Sequence, residues 1–334
     1  MGSWGAGGII ALMILAGIDE AGYGPLLGPL VVGCSAFEVE GDPAGPPPCV
    51  WTALRKLISR NRLRSGKKLH INDSKLVYGG GGSLKELERG VLSIVAASGE
   101  LPADLESLLA QVAGNVRDEM LRYPWYRHGP QEKFPLEQDA VGLRLFANAL
   151  RLEMERMRCR CVHLAGKVVC EGELNRMFDA TRNKGSTLFS LAAVHLDYLL
   201  NTFGDKGLVI ICDRQGGRGH YGSLLRLMFD EWSLEIVREE ESCSDYRLHR
   251  SGHVVSLTFT EKAEAACLPV ALASMLCKYL REALMGRFNA YWQALLPGLT
   301  PTAGYYNDGL RFLDSIQQMR QEMGVTDKQL IRSR

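Results

Sequence analysis

The feature that most constrains this sequence is an apolar run, Ile9 to Ile18, that ends in two adjacent carboxylates, Asp19 and Glu20. A bend rich in glycine and proline follows, Ala21-Gly22-Tyr23-Gly24-Pro25-Leu26-Leu27-Gly28-Pro29. Side chains alternate along a strand, so an uninterrupted strand sends Asp19 and Glu20 to opposite faces. A bend here is expected to bring both to one site, and the glycines supply the freedom for it. Ile14, Leu15 and Ile18 before the acids, and Leu30, Val31 and Val32 after the bend, call for burial on both sides. A solvated acidic turn needs neither run. The plain alternative is a tight hairpin with incidental acids.

The run has no Lys or Arg before it and is too short to span a bilayer, so it reads as a core strand, central in its sheet, and not as a signal peptide or membrane anchor. With 334 residues there is ample material for a buried core. A formal net charge of +1 weakly disfavours tight nonspecific DNA binding and excludes nothing, because basic residues can gather on one face. Nine cysteines include no Cys-x-x-Cys pair, only Cys159-x-Cys161, and read as reduced thiols of a cytoplasmic protein.

Leu30 to Glu40 is expected to form a second strand antiparallel to the first, and Trp51 to Leu63 an amphipathic helix. The basic segment Arg60 to Lys68 leads into Asn72-Asp73-Ser74-Lys75. Gly79 to Gly82 reads as a joint before a helix from Ser83 to about Leu92, with Ser83 and Glu86 in a capping-box pattern. Residues 100 to 165 are helical and polar in character, interrupted by the aromatic, basic stretch Tyr123 to Pro130, which reads as a packed loop. Val162 to Val169 is weakly strand-like, and Leu188 to Leu200 is a strong helix. Leu208 to Cys212 is a buried strand that delivers Asp213 to a glycine-rich mouth, Gly216-Gly217-Arg218-Gly219-His220. Strands follow at Leu234 to Arg238 and Val254 to Phe259, then a helix from Pro269 to Arg287. Along that helix Ser274, Lys278 and Glu282 recur at i, i+4 and i+8 and share one face.

Asp19, Glu20, Asp213 and Glu282 together make an oxygen-only donor set, which suits hard divalent cations such as Mg²⁺ or Mn²⁺. Two such ions can serve an in-line phosphoryl displacement. The sequence has no Walker A lysine motif, no complete Gly-x-Gly-x-x-Gly, no His-Glu-x-x-His and no Gly-x-Ser-x-Gly.

Gly17-Ile18-Asp19-Glu20-Ala21-Gly22-Tyr23-Gly24-Pro25 with Gly28-Pro29, Asp73-Ser74-Lys75, Asp213 after an apolar strand, and Ala273-Ser274 with Lys278 and Glu282 resemble, in content and order, the type 2 ribonuclease H family, the ribonuclease HII and HIII group. The resemblance runs in patches from about residue 12 to residue 310. It implies an α/β, ribonuclease H-like fold with a central mixed sheet flanked by helices, and metal-dependent hydrolysis of the RNA strand of RNA–DNA hybrids. Under it residues 1–334 form a single catalytic domain, with insertions at about 80–165 and 214–255 and a C-terminal helical segment at about 262–334. By position it implies that Asp19, Glu20, Asp213 and Glu282 are catalytic and hold two Mg²⁺ or Mn²⁺ ions. Gly22, Tyr23, Gly24, Lys75, Ser274, Lys278 and Tyr305 would bind substrate. No obligate protein partner is evident.

Tyr23 stands where the HII pattern has arginine, in an element that helps read the ribose 2′-hydroxyl, so selectivity for one embedded ribonucleotide is expected to be weak. Glu282 in place of aspartate, and Asn175, Asn183 and His195, look more like HIII, although the separate N-terminal substrate-binding domain of HIII is not expected ahead of the first motif. Two other functions fit the same pieces. One is a non-catalytic nucleic-acid-binding protein of the same fold, which retention of four acids disfavours because binding alone needs basic residues more than a metal site. The other is a nuclease for a different structured nucleic acid.

Overall fold

The apolar run becomes the strand β1 (Ala11–Ala21), covered on both faces. Ile14, Ala16 and Ile18 pack towards the helix Lys184–Phe203, and Leu15 and Gly17 face the helix Leu268–Leu295. A computed structural model describes residues 11–42, 45–63, 65–79 and 83–333. Ile9, Ile10 and most of the glycine joint at 79–82 lie outside the described residues.

The remaining strands are β2 (Leu30–Gly41), β3 (Ile58–Ser59), β4 (Leu69–His70), β5 (Cys159–Val169), β6 (Leu208–Asp213), β7 (Ser233–Glu239), β8 (Cys243–Arg250) and β9 (His253–Thr260). Seven of them form one mixed sheet in the order β5-β2-β1-β6-β9-β8-β7, and β3 pairs with β4 separately. The fold is thus mixed α/β, a central mixed sheet flanked by helices. β2 pairs antiparallel with β1, as expected from the sequence. β6 runs parallel to β1 and β9 parallel to β6, so these three strands end on the same side of the sheet.

The helix Leu268–Leu295 starts at Pro269, whose fixed φ suits the first turn. It buries Leu272, Met275, Leu276, Tyr279, Leu280 and Leu284 against the sheet and neighbouring helices. Each such side chain contributes about 1.5–3 kcal/mol on burial. Its close approach to β1 depends on Gly17, where an added Cβ would stand 2.1 Å from the Val270 nitrogen.

Several local expectations change. The stretch Trp51 to Leu63 is helical only over Val50–Ala53 and then turns into β3, because Trp51 donates to Ile71 O at 3.2 Å and Arg60 stacks 4.0 Å from the Trp51 ring, folding the segment back. The helix expected from Ser83 is Lys85–Ser98, and the capping box does not form: Ser83 Oγ donates to Glu137 Oε2 at 2.6 Å instead. Tyr123 to Pro130 contains a short helix, Pro124–Arg127, whose Trp125 is buried against Phe288 and Trp292. The aromatic residues Trp125 and Tyr126 there belong to the core. A strand missing from the sequence reading, β8, joins β7 to β9 and extends the sheet through residues 214–255. Among the described residues no helix is long and apolar enough to cross a membrane. All nine cysteines are free, seven of them buried.

Candidate active site

Asp19 and Glu20 do not leave the strand: β1 continues to Ala21, and its pairing with β2 runs through both acids. Pairing with β6, by contrast, stops at Ile18 and Cys212. Beyond that point the β6 side of β1 is open, and residues from both faces reach the gap. This is why the two carboxylates share a cleft without the bend that alternation had seemed to require. The bend comes next, at Gly22, whose φ of +94° favours glycine.

The cleft, about 280 Å³, lies where β1, β6 and β9 end. Asp19, Glu20 and Asp213 line it together with Glu264. Glu264 sits in the short helix Ala263–Ala266 just after β9. The main chain at this corner is fixed by Asp213, whose Oδ1 accepts from Ala263 N at 3.1 Å, and by Arg214 N, which donates to Thr260 O at 3.0 Å. Gly22, Tyr23, Gly24, Lys75, Ser274, Lys278 and Tyr305 also face the cleft. Ser274 Oγ donates to Ser74 Oγ at 3.0 Å, and Asp73 caps the turn before Lys75 by accepting from its N–H at 2.9 Å.

Glu282 is placed differently. It does not line the cleft; its Oε1 accepts from Lys278 Nζ at 2.7 Å and from Arg281 Nη1 at 3.1 Å. Ser274 and Glu282 share a helix face as expected, but eight residues at 1.5 Å rise separate them by about 12 Å along the axis. The sequence reading missed Glu264, although a signal was there: like Asp19 and Asp213, it follows an apolar strand end. It gave no role to Asp73, named only within the Asp73-Ser74-Lys75 motif, and did not single out Arg281; both stand on the cleft wall.

Electrostatics set these four acids apart. Burial pushes the Asp19 carboxyl up to about 8, the Asp213 charge adds to the rise, and the Ser274 hydroxyl and Glu20 amide oppose it. Burial, then Asp19 and Asp213, raises Glu20 well above the usual carboxylate range, with Lys75 opposing. Asp213 and Glu264 are both raised, chiefly by burial, and Asp213 also pushes Glu264 up. Oε2 of Glu20 and Oε2 of Glu264 are buried without a hydrogen-bond partner. Carboxylates crowded and desolvated in this way fit divalent cations: the donors are hard oxygens, two of them lack partners, and positive charge relieves the repulsion. A larger hollow of about 540 Å³ offers a contrast, since Glu38 and Glu40 on its wall are already neutralised by Arg160 and Arg158. Cys34, His163 and His195 also come within 4.8 Å of one another, but there His195 Nε2 is engaged with Val32 O at 2.9 Å and His163 stacks on Tyr198.

A pH-dependent response to cations follows. Asp19 has a folded value near 8 against 3.8 when unperturbed, so between these values the metal-free folded chain holds a proton that the unfolded chain has released. This group's contribution therefore turns against folding as pH rises from about 4 to about 8. Cations compete with those protons, so the rise in melting temperature on adding Mg²⁺ or Mn²⁺ should be larger at about pH 8.5 than at about pH 5.5. Calorimetry at both pH values checks it; an equal shift would remove the acid cluster as the binding site.

No protein-family model and no curated protein matches this sequence. Solved structures similar to the chain include ribonuclease HII of Archaeoglobus fulgidus in its PCNA:RNase HII complex, at 13% identity over 96% of this chain and 95% of that one, with a TM-score of 0.41. Ribonuclease H2 of Pyrococcus horikoshii OT3 is 13% identical over 95% and 92%, with a TM-score of 0.37. Bst-RNase HIII in complex with Mn²⁺ is 14% identical over 96% and 67%, with a TM-score of 0.41.

Proposed function

We propose that this chain is a metal-dependent endonuclease of the ribonuclease H type, a single catalytic domain that hydrolyses the RNA strand of RNA–DNA hybrids in the cytoplasm. The observation that carries the metal-dependent part is the convergence of Asp19, Glu20, Asp213 and Glu264 at the ends of parallel strands, with raised carboxyl groups and two unpartnered oxygens. The motif resemblance of Gly17 to Pro29 and Asp73 to Lys75 supplies the substrate class.

In this assignment the four acids hold two Mg²⁺ or Mn²⁺ ions, with Glu264 in the place the sequence reading gave to Glu282. Bound cations supply Lewis-acid stabilisation of the phosphoryl oxygens and a water of lowered pKa. The rest falls to the chain's own side chains. Lys75 and Lys278 bring positive charge to the cleft that offsets phosphate charge. Lys278 is oriented by its ion pair with Glu282 and by the Tyr78 ring 4.5 Å away. Ser274 beside Asp19 favours its charged form against burial, and Tyr305 offers an exposed ring at the rim.

Tyr23 lies against Gly216, where an added Cβ would be 3.7 Å from its ring. A phenol can stack on a sugar or base but lacks the fork of donors that arginine carries. The test is cleavage of three labelled duplexes with Mg²⁺ and then Mn²⁺: a full RNA–DNA hybrid, DNA with one ribonucleotide, and plain DNA. The hybrid should be cut, plain DNA left intact, and the single ribonucleotide not preferred. Tyr23→Arg should raise preference for the single ribonucleotide about tenfold, equivalent to about 1.4 kcal/mol. Failure to cut any duplex, with folded and cation-bound protein, would overturn the nuclease assignment.

A further inference from the structure

Arg332 is buried to 3% exposure, yet it belongs to no part of the acid cluster. Its guanidinium reaches across the chain to the glycine bend, where Nη1 donates to Gly22 O and Nη2 donates to Tyr23 O at 3.0 Å. Its own main-chain N–H donates to Leu26 O at 2.9 Å. Arg281 holds the other flank of the bend, donating from Nη2 to Ala303 O at 2.9 Å and to Leu27 O at 3.4 Å. Two buried cations therefore grip this loop through its carbonyls. The far end of the bend is also tied by its main chain, Leu26 N and Leu27 N donating to Gly304 O at 2.7 and 3.1 Å, whereas at its near end Gly22 and Gly24 carry no side chains and a Cβ at Gly24 would meet nothing within 4 Å.

The consequence is directional. A trans peptide sets its C=O and N–H on opposite sides, so turning the Gly22 and Tyr23 carbonyls onto Arg332 points the Tyr23 and Gly24 N–H groups away from it. Gly22, Tyr23 and Gly24 form the wall of the cleft next to Asp19 and Glu20. Burial, with Arg281 nearby, lowers the Arg332 guanidinium to about 10, which leaves it charged near neutral pH.

The segment bearing Arg332 is seated by one side chain. Asn175, 4% exposed, donates from Nδ2 to Lys328 O at 2.9 Å and to Ile331 O at 2.7 Å, and its Oδ1 accepts from Ser333 N at 2.7 Å. All of its amide atoms are spent on this one stretch of main chain. Since Asn175 stands on the helix Glu171–Thr181, the loop, the Arg332 segment and that helix are linked in one chain of polar contacts.

We propose that Arg332, seated by Asn175, is a positioning residue that fixes the Gly22-Tyr23-Gly24 wall of the cleft and so sets how tightly a nucleic-acid strand is held there. This rests on the nuclease assignment for its ligand, while the loop-fixing itself can be read without any substrate.

The experiment combines hydrogen exchange of the peptide covering residues 20–27 with steady-state cleavage of a labelled RNA–DNA hybrid in Mg²⁺. In Arg332→Ala that peptide should exchange about tenfold faster or more, and KM should rise about tenfold with kcat within about threefold, the loss expected if the equivalent of about one charge-assisted hydrogen bond is felt by the bound strand. Arg332→Lys should fall between, because one ammonium cannot bridge two carbonyls as the guanidinium fork does. Asn175→Ala should show the same pattern at smaller size with Arg332 chemically intact, and it carries the test if Arg332→Ala does not fold. Unchanged exchange with unchanged KM, or a fall in kcat at constant KM, overturns the proposal. If the wild-type chain cuts no duplex the nuclease assignment fails, and the exchange arm still decides whether Arg332 fixes the loop.

Discussion

Asp19→Asn should reduce hybrid cleavage more than about 100-fold, since even outer partners of metal ligands are worth about 10–100-fold. The same change should leave the metal-free protein as stable as the wild type or more so at about pH 8.5. Asparagine keeps the shape of the side chain but removes a charge that burial and Asp213 both penalise. Loss of function with equal or higher melting temperature is the pattern of a residue kept for its chemistry at the expense of stability. Turnover and melting temperature measured on one preparation check both halves. Unchanged turnover would remove Asp19 from the reaction, and a large fall in melting temperature would make it a structural residue.

What the sequence made legible was local. The apolar run before Asp19 Glu20, the second strand beside it and the run before Asp213 could be read because each joins a buried stretch to a carboxylate. The strand β8 could not, since its buried alternation, Ser244, Tyr246 and Leu248, is diluted by Cys243, Asp245, Arg247 and Arg250. Helical spacing between Trp51 and Leu63 was real, but the Arg60 and Trp51 stack and the bond from Trp51 to Ile71 decide that segment. Propensity yields there to tertiary contact. Arg332 was out of reach for a simpler reason: its contact with Gly22 spans 310 positions of sequence. Shared helical face located Ser274, Lys278 and Glu282 around the axis but left their depth along it unread, and Glu282 comes to lie outside the cleft that Ser274 and Lys278 line.

The choice between Glu264 and Glu282 therefore carries the second large effect. Glu264 touches the cluster: it lines the cleft, Asp213 raises its carboxyl, and Oε2 lacks a partner. Glu264→Gln should cut cleavage by more than about 100-fold, by the same reasoning as for Asp19, with the melting temperature unchanged or higher. Glu282 instead neutralises Lys278 and Arg281, and the Arg281 side chain is only 1% exposed. Glu282→Gln leaves that buried guanidinium without its acid and should destabilise the fold by about 1–3 kcal/mol. Because Arg281 also holds Leu27 O and Ala303 O, the cost extends to the glycine bend, so KM for the hybrid should rise more than kcat falls. The two variants thus separate on two axes, turnover and stability. If Glu282→Gln abolished turnover at full stability while Glu264→Gln was tolerated, the fourth ligand would be Glu282, and the helix Leu268–Leu295 would have to rotate or slide to bring it to Asp19. Gly17 makes such a shift expensive, because the helix backbone already sits where a Cβ on β1 would be. That tight contact is the physical ground on which the proposed metal ligands are the acids at the strand ends and not Glu282.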